Sequence, residues 1–405
     1  MSKNVTSSVI IVGQLSTGIG VIDKLLNGGL EKGSSVLVRS SPFVNSAPFF
    51  NEWLYNRLSA NDVVFYYVNN KPPETVTEAM RNYGWSIEKF RDGKKFSFID
   101  SYSALVGTKS SEAYSIRDPS NINQLNEVMS PLISEKRDGN TTLFIDSLNT
   151  LIDQYDEPAL DMVENWCKLG SASGVISVCL YMEWGYPDSV KAKLENIFNS
   201  IIDLKALPKI VANEALTVSK TRNLAVKEPQ LLLFKYAKPG GFRVYVPKIL
   251  VTGPFHAGKT SVVHALSTRA VSVQRLGTTV ALDFGHVDHE GFAVDLFGSV
   301  GQARFDPLLE KLGGEALGVL LVVDSTKPED FPRALEMLHK AKVHGLPYVI
   351  VANKQDLPGA LSMEQIREKL HLSESVQVIK TIATEKSSVF PALDVLLKKL
   401  VEGSS

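Results

Sequence analysis

Two cysteines, Cys167 and Cys179, cannot staple a chain of 405 residues, and their surroundings, ENWCKLG and ISVCLYM, read as a helix and a buried strand. They fit reduced core thiols of a cytoplasmic protein. No run of about twenty apolar residues occurs, so no membrane span is expected. The opening MSKNVTSSVIIVG has no charged start before a long apolar stretch, which argues against a signal peptide. A formal charge of −1 supplies no basic field, so no nucleic-acid partner is expected. Glycine is missing from Ser34 to Tyr83. Tryptophan is missing after Trp184 and histidine before His256, and this segregation suggests a fusion.

What is present is an alternation of short apolar runs and amphipathic stretches, the α/β pattern of a mostly parallel sheet covered by helices. Strands are predicted over 36–40, 63–68, 96–100, 142–146 and 175–181, then over 248–253, 292–297, 318–324, 348–353 and 376–381. In KYAKPGGFRVYVPKILV the Pro-Gly-Gly at residues 239–241 reads as a turn between two strands. The boundary is placed just after it, giving domains 1–247 and 248–405.

In the second half the strand KILVT runs into GPFHAGKTS, which fits G-x-x-x-x-G-K-[ST] at Gly253, Gly258, Lys259 and Thr260. Glycines let backbone amides turn toward phosphate oxygens, the lysine adds a point charge, and the threonine hydroxyl suits Mg²⁺. Phe255, His256, Ala257 and Ser261 complete the loop. NKQD, Asn353 to Asp356, ends the strand YVIVAN. A carboxylate there accepts paired hydrogen bonds from guanine N1–H and its amine, which adenine cannot offer. Asp356 is therefore the expected guanine reader, Lys354 lies along the base, and Asn353 ties this loop to the phosphate loop.

These residues resemble a Ras-like small GTPase from Lys248 to Glu402, and VANKQDLPGALS is close to the Arf branch. The resemblance implies GTP/GDP and Mg²⁺ as cofactors, backbone contacts to the base at Ala383 and Thr384 of TIATEKSS, and a switch threonine, Thr279 (or Thr278), in GTTVALDFG. In DLFGSVGQARFD, Gly301 and Gln302 match the family's Gly-Gln pair, with Gln302 the expected catalytic residue. The aspartate of the usual D-x-x-G-Q is then replaced by Gly298. The same lack resembles the Mgl-type prokaryotic GTPases, which carry an aspartate four residues beyond the switch threonine; Asp283 stands there and joins Thr260 and Thr279 as an expected metal residue. Phe255 and His256 are bulkier than most relatives carry, which implies slow hydrolysis.

The first half opens with LSTGIGVIDKLLNGGLEKGSSVLV, which resembles the start of KaiC-type RecA-fold ATPases at Gly18, Asp23, Gly28, Gly29, Leu30 and Gly33. TLFIDSLNTL places Asp146 where that family's strand-end aspartate faces Mg²⁺, and SKTRN places Lys220 and Arg222 at a Lys-x-Arg that reaches a neighbour's nucleotide. The expected phosphate loop is SPFVNSAPF, with Ser46 or Ala47 at the lysine position. It has no glycine, and Pro48 removes an amide donor. VNNKPPE puts Lys71 at or beside the base position. The expectation is a pseudo-ATPase whose loop, apolar at Phe43, Val44, Phe49 and Phe50, packs against something, the GTPase half included. The fold class expected is two P-loop NTPase-type three-layer αβα domains, a RecA/KaiC-like domain followed by a Ras-like G domain. The function implied is a GTP-gated switch with the first half as docking or assembly platform. Homo-oligomers and a roadblock-type regulator are the partners the resemblance implies. The alternatives are an ATPase motor using unorthodox residues and a GTP-binding assembly protein without turnover.

Overall fold

In the computed structural model the described residues are 13–207, 214–227, 229–273, 282–289, 292–343 and 345–402. They form two compact units, the first of residues 13–206 and 214–244 and the second of Leu207 and residues 245–402.

The first unit is built on one twisted sheet. Parallel strands run in the order Ser200–Ala206, Ser35–Ser40, Ile176–Met182, Thr141–Ile145, Val63–Val68, Phe96–Asp100 and Tyr114–Ser115. Glu214–Thr221, Leu232–Ala237 and Gly241–Val244 extend it antiparallel from the Ser200 edge. Continuous apolar runs become central strands because both faces are covered. Val64, Tyr66 and Val68 enter one core while Phe65 and Tyr67 enter the other.

The helix Ala47–Ser59 lies against the first of these cores. Phe49, Phe50, Trp53, Leu54 and Leu58 are buried along it, a spacing that brings one face inward. Phe50 meets Tyr66 and Phe144 edge-on, with centroids 6.0 and 5.1 Å away, and Phe49 meets Phe242 at 5.7 Å. Aromatic edges of this kind add to the area buried.

The second unit has a seven-stranded sheet ordered Arg269–Val273, Leu282–His289, Phe292–Gly298, Lys248–Thr252, Gly318–Asp324, Tyr348–Asn353 and Gln377–Lys380. The first two pairings are antiparallel and the rest parallel. Gly318–Asp324 is buried throughout. Leu321 and Val323 pack with Phe331, Ala334 and Ile366 of the helices Phe331–Lys340 and Met363–Lys369. Gly318 abuts Leu396 of the helix Lys386–Glu402. Helices thus cover the sheet on two sides, and Lys248–Thr252 delivers its carboxyl end between two parallel neighbours, where loops of such sheets bind ligands.

Candidate functional site

The loop after Lys248–Thr252 turns on two glycines. Gly253 has φ 146° and a Cβ there would lie 2.0 Å from Val322 O; Gly258 has φ 99° and a Cβ there would lie 2.2 Å from Asn353 Nδ2. No other residue type fits either place. Between them His256 also takes a left-handed backbone, φ 61°. The helix Lys259–Leu266 follows, and Lys259 folds back so that Nζ donates to Pro254 O at 2.7 Å. Burial pushes the Lys259 ammonium down to about 8, against the pull of Asp283 in the other direction. A phosphate arriving here would restore its charge.

Thr260 Oγ1 donates to Asp283 Oδ2 at 2.6 Å. Asp283 is buried on Leu282–His289 and faces Gly298 across the antiparallel pairing. A Cβ on Gly298 would come 2.9 Å from that of Asp283. The missing side chain at 298 therefore makes the room that the carboxylate from the next strand takes. Gly301 crosses the loop so closely that a Cβ would lie 2.5 Å from Phe255 N. Phe255, His256, Gly258, Lys259, Thr260, Ser261, Asp283, Gly301 and Lys354 line one cavity of about 410 Å³, together with Ser299 and Val300.

Asn353 joins the loops. Its Nδ2 donates to Ala257 O at 2.9 Å, and its Oδ1 accepts from Ala383 N at 2.9 Å. Lys354, itself at φ 64°, pairs through Nζ with Asp324 Oδ2 at 2.5 Å. Gln355 Nε2 donates to Ser325 Oγ at 2.7 Å and to Leu361 O at 3.0 Å. Asp356 and Thr384 are exposed beside them. Asp324 and Ser325 went unremarked in the sequence; their signal is the polar pair that ends the apolar run GVLLVVD. Gln302 follows Gly301 half-buried and is not among the described residues lining the cavity. Thr278 and Thr279 lie outside the described residues.

The corresponding loop of the first unit is built differently. No residue from Ser41 to Pro48 has a positive φ, so it forms no amide nest of the kind that cradles phosphate. Ser41 N–H donates to Leu204 O at 2.8 Å, and Asn45 N–H to the carboxylate Oε1 of Glu214 at 3.3 Å. Asp146, 2% exposed, pairs with Lys71 Nζ at 2.8 Å. An internal carboxylate and an internal ammonium occupy the neighbourhoods where an anion and a cation were expected. Lys220 Nζ donates to Glu195 O at 2.6 Å and Phe198 O at 2.7 Å, and Arg222 Nε lies 3.3 Å from Glu31 Oε1. One expectation is corrected: Val44, Phe49 and Phe50 are buried in the unit's own core, and of the four apolar residues only Phe43 is open, at 88%. The helix begins at Ala47, so the two later phenylalanines turn inward with it.

The chain thus joins two P-loop NTPase-type αβα folds, the first RecA-like and the second Ras-like. Residues 15–249 match the family model for the KaiC ATPase, and the chain belongs to that family. Residues 244–401 match the ADP-ribosylation factor family, and the second unit is a domain of the Arf type. Among curated relatives, a UPF0273 protein of Pyrococcus furiosus is 29% identical over 152 residues, 37% of this chain and 60% of that one. ADP-ribosylation factor-related protein 1 of Rattus norvegicus is 32% identical over 129 residues, 29% of this chain and 64% of that one. The chain thus spans a little under two thirds of the length of these relatives. A solved KaiC-like protein of Pyrococcus horikoshii superposes with a TM-score of 0.45 at 16% identity, covering 58% of this chain and 100% of that one. Among the described residues no helix is long and apolar enough to cross a membrane.

Proposed function

We propose that the second unit is a guanine-nucleotide switch that hydrolyses GTP to GDP slowly, and that the first is its docking or assembly platform and does not turn over ATP. The observation that carries the reading is Asn353, one side chain hydrogen-bonded to both the phosphate loop and the Ala383 loop at 2.9 Å each. In this reading Asp356 selects guanine, Lys354 and the Ala383–Thr384 amides flank the base, and Lys259 meets the phosphates. Thr260 and Asp283 are hard oxygen donors of the kind Mg²⁺ takes. They would hold it beside the nucleotide, where it would neutralise phosphate charge. Thr279 is the switch threonine, and Gln302 orients the attacking water once its segment closes. Slowness is supported by Gln302 lying off the cavity wall and by the bulk of Phe255, which leaves little room for a group inserted from a partner.

The platform role is supported by the loop without left-handed residues and by Lys71 on Asp146. The same reading takes in a roadblock-fold regulator, homo-oligomers through the first unit and a cytoplasmic location, with Cys167 and Cys179 as free buried thiols. Titration of the full chain with GTP and with ATP tests it. GTP is expected to bind, and Lys259→Ala to weaken it by about a hundredfold or more, as loss of a charge-assisted phosphate contact does. ATP binding that survives Lys259→Ala would remove the platform reading. GTP binding with no turnover would leave an assembly protein instead of a switch.

A further inference from the structure

We propose that the His256 imidazole is a catalytic group supplied in cis, donating an N–H hydrogen bond to the γ-phosphoryl oxygens of bound GTP during hydrolysis. The inference rests on the GTPase reading of the second unit and deepens it. Three left-handed residues shape the phosphate loop, and two of them, Gly253 and Gly258, are the residue type that conformation favours. The third is His256, at φ 61°, so the loop carries a ring where glycine would suit the backbone better. Strained positions of this kind cluster at active sites and ligand clamps.

The ring is exposed, lines the cavity with Lys259, Thr260 and Gly301, and leans on Phe255 with centroids 3.8 Å apart at 53°. Gly301 closes over the Phe255 backbone, which holds that brace between the loop and the segment leading to Gln302. The other charged groups on the cavity wall already have partners: Lys259 on Pro254 O, Lys354 on Asp324, and Asp283 on Thr260. Neither ring nitrogen of His256 makes a hydrogen bond among the described residues.

The chemistry needs no co-reactant beyond water. Its oxygen bonds to the γ phosphorus, the bond to the β–γ bridging oxygen breaks with its electron pair leaving on GDP, and the proton of the water ends on inorganic phosphate. His256 donates one hydrogen bond throughout and neither gains nor loses a proton. Charge spreading over the γ oxygens in the transition state is what such a donor stabilises. A group held in the loop itself does the work that relatives leave to a cation inserted from a partner.

His256→Gly relaxes the left-handed backbone, and His256→Asn keeps a residue tolerant of it, so both variants of the full chain are expected to fold. GTP affinity is expected to stay within about threefold while the single-turnover rate falls by at least about tenfold, the split that marks a contact made in the transition state. Intact GTP binding with an unchanged single-turnover rate in His256→Gly overturns the inference alone. A chain that does not bind GTP, or binds it without turnover, removes the GTPase reading and the inference together.

Discussion

Gly298 and Asp283 are best read as one exchange. The two face each other across the antiparallel pairing, and a Cβ on Gly298 would come 2.9 Å from that of Asp283. The pair predicts a reciprocal test. Gly298→Asp alone should disrupt the site by crowding, Asp283→Gly alone should raise the Mg²⁺ concentration needed to retain GTP by about tenfold or more, and the double exchange should restore much of it. Nucleotide dissociation measured against Mg²⁺ concentration reports all three. Lys259, Asn353 and Asp356 were legible in the sequence because their chemistry is written in contiguous motifs. Asp283 could be reached only through resemblance, since its partner Thr260 is 23 positions away and meets it across a sheet. The ties from Lys354 to Asp324 and from Gln355 to Ser325 were not legible, because side-chain reach between two strand ends leaves no spacing pattern.

Among elements, the helix Ala47–Ser59 shows why a run of apolar letters does not say which way it faces. SPFVNSAPFF read as a loop with four apolar residues to offer, yet starting the helix at Ala47 sends Phe49 and Phe50 into the core and leaves Phe43 outside. Phe50→Ala should therefore cost the first unit about 3–5 kcal/mol in denaturant unfolding, whereas Phe43→Ala should change stability by less than about 0.5 kcal/mol. Most strands of the parallel core were legible as continuous apolar runs. Glu214–Thr221 was not, because it mixes polar and apolar residues and shifts register between Val218 and Lys220.

In the second unit the helices Asp306–Gly313 and Phe331–Lys340 are joined through Asp306, which meets Arg333 at 2.5 Å and Lys340 at 2.7 Å. The hydrogen bond from Arg333, supported by Lys340, holds the Asp306 carboxyl below its ordinary value in spite of some burial. A carboxyl lowered by folding contributes stability above its unfolded value, and that contribution is lost as pH falls through the folded one. Asp306→Asn is accordingly expected to flatten the acid side of the stability curve below about pH 4 and to lower stability at neutral pH. Chemical denaturation across that interval measures both effects.

For the whole molecule, the fusion was legible from composition alone, in where tryptophan stops and histidine starts, and from the two kinds of loop. The sequence could not show what fills the first loop's neighbourhood. Lys71 lies 30 residues from that loop's start at Ser41 by way of a separate strand, and Glu214 reaches Asn45 from 169 positions away. These two contacts bear on how the protein responds to its surroundings. A fold that binds its ligand gains stability with ligand concentration, about 2.7 kcal/mol at a hundred times Kd. A fold that carries its counter-charges covalently gains nothing from them. Hydrogen exchange should therefore slow around Ile249–Leu266 when GTP is added, and stay the same around Val36–Leu58 whether ATP and Mg²⁺ are abundant or absent. The chain would then register guanine nucleotide while remaining blind to the adenylate energy charge of the cell, an insulation set by one lysine and one glutamate.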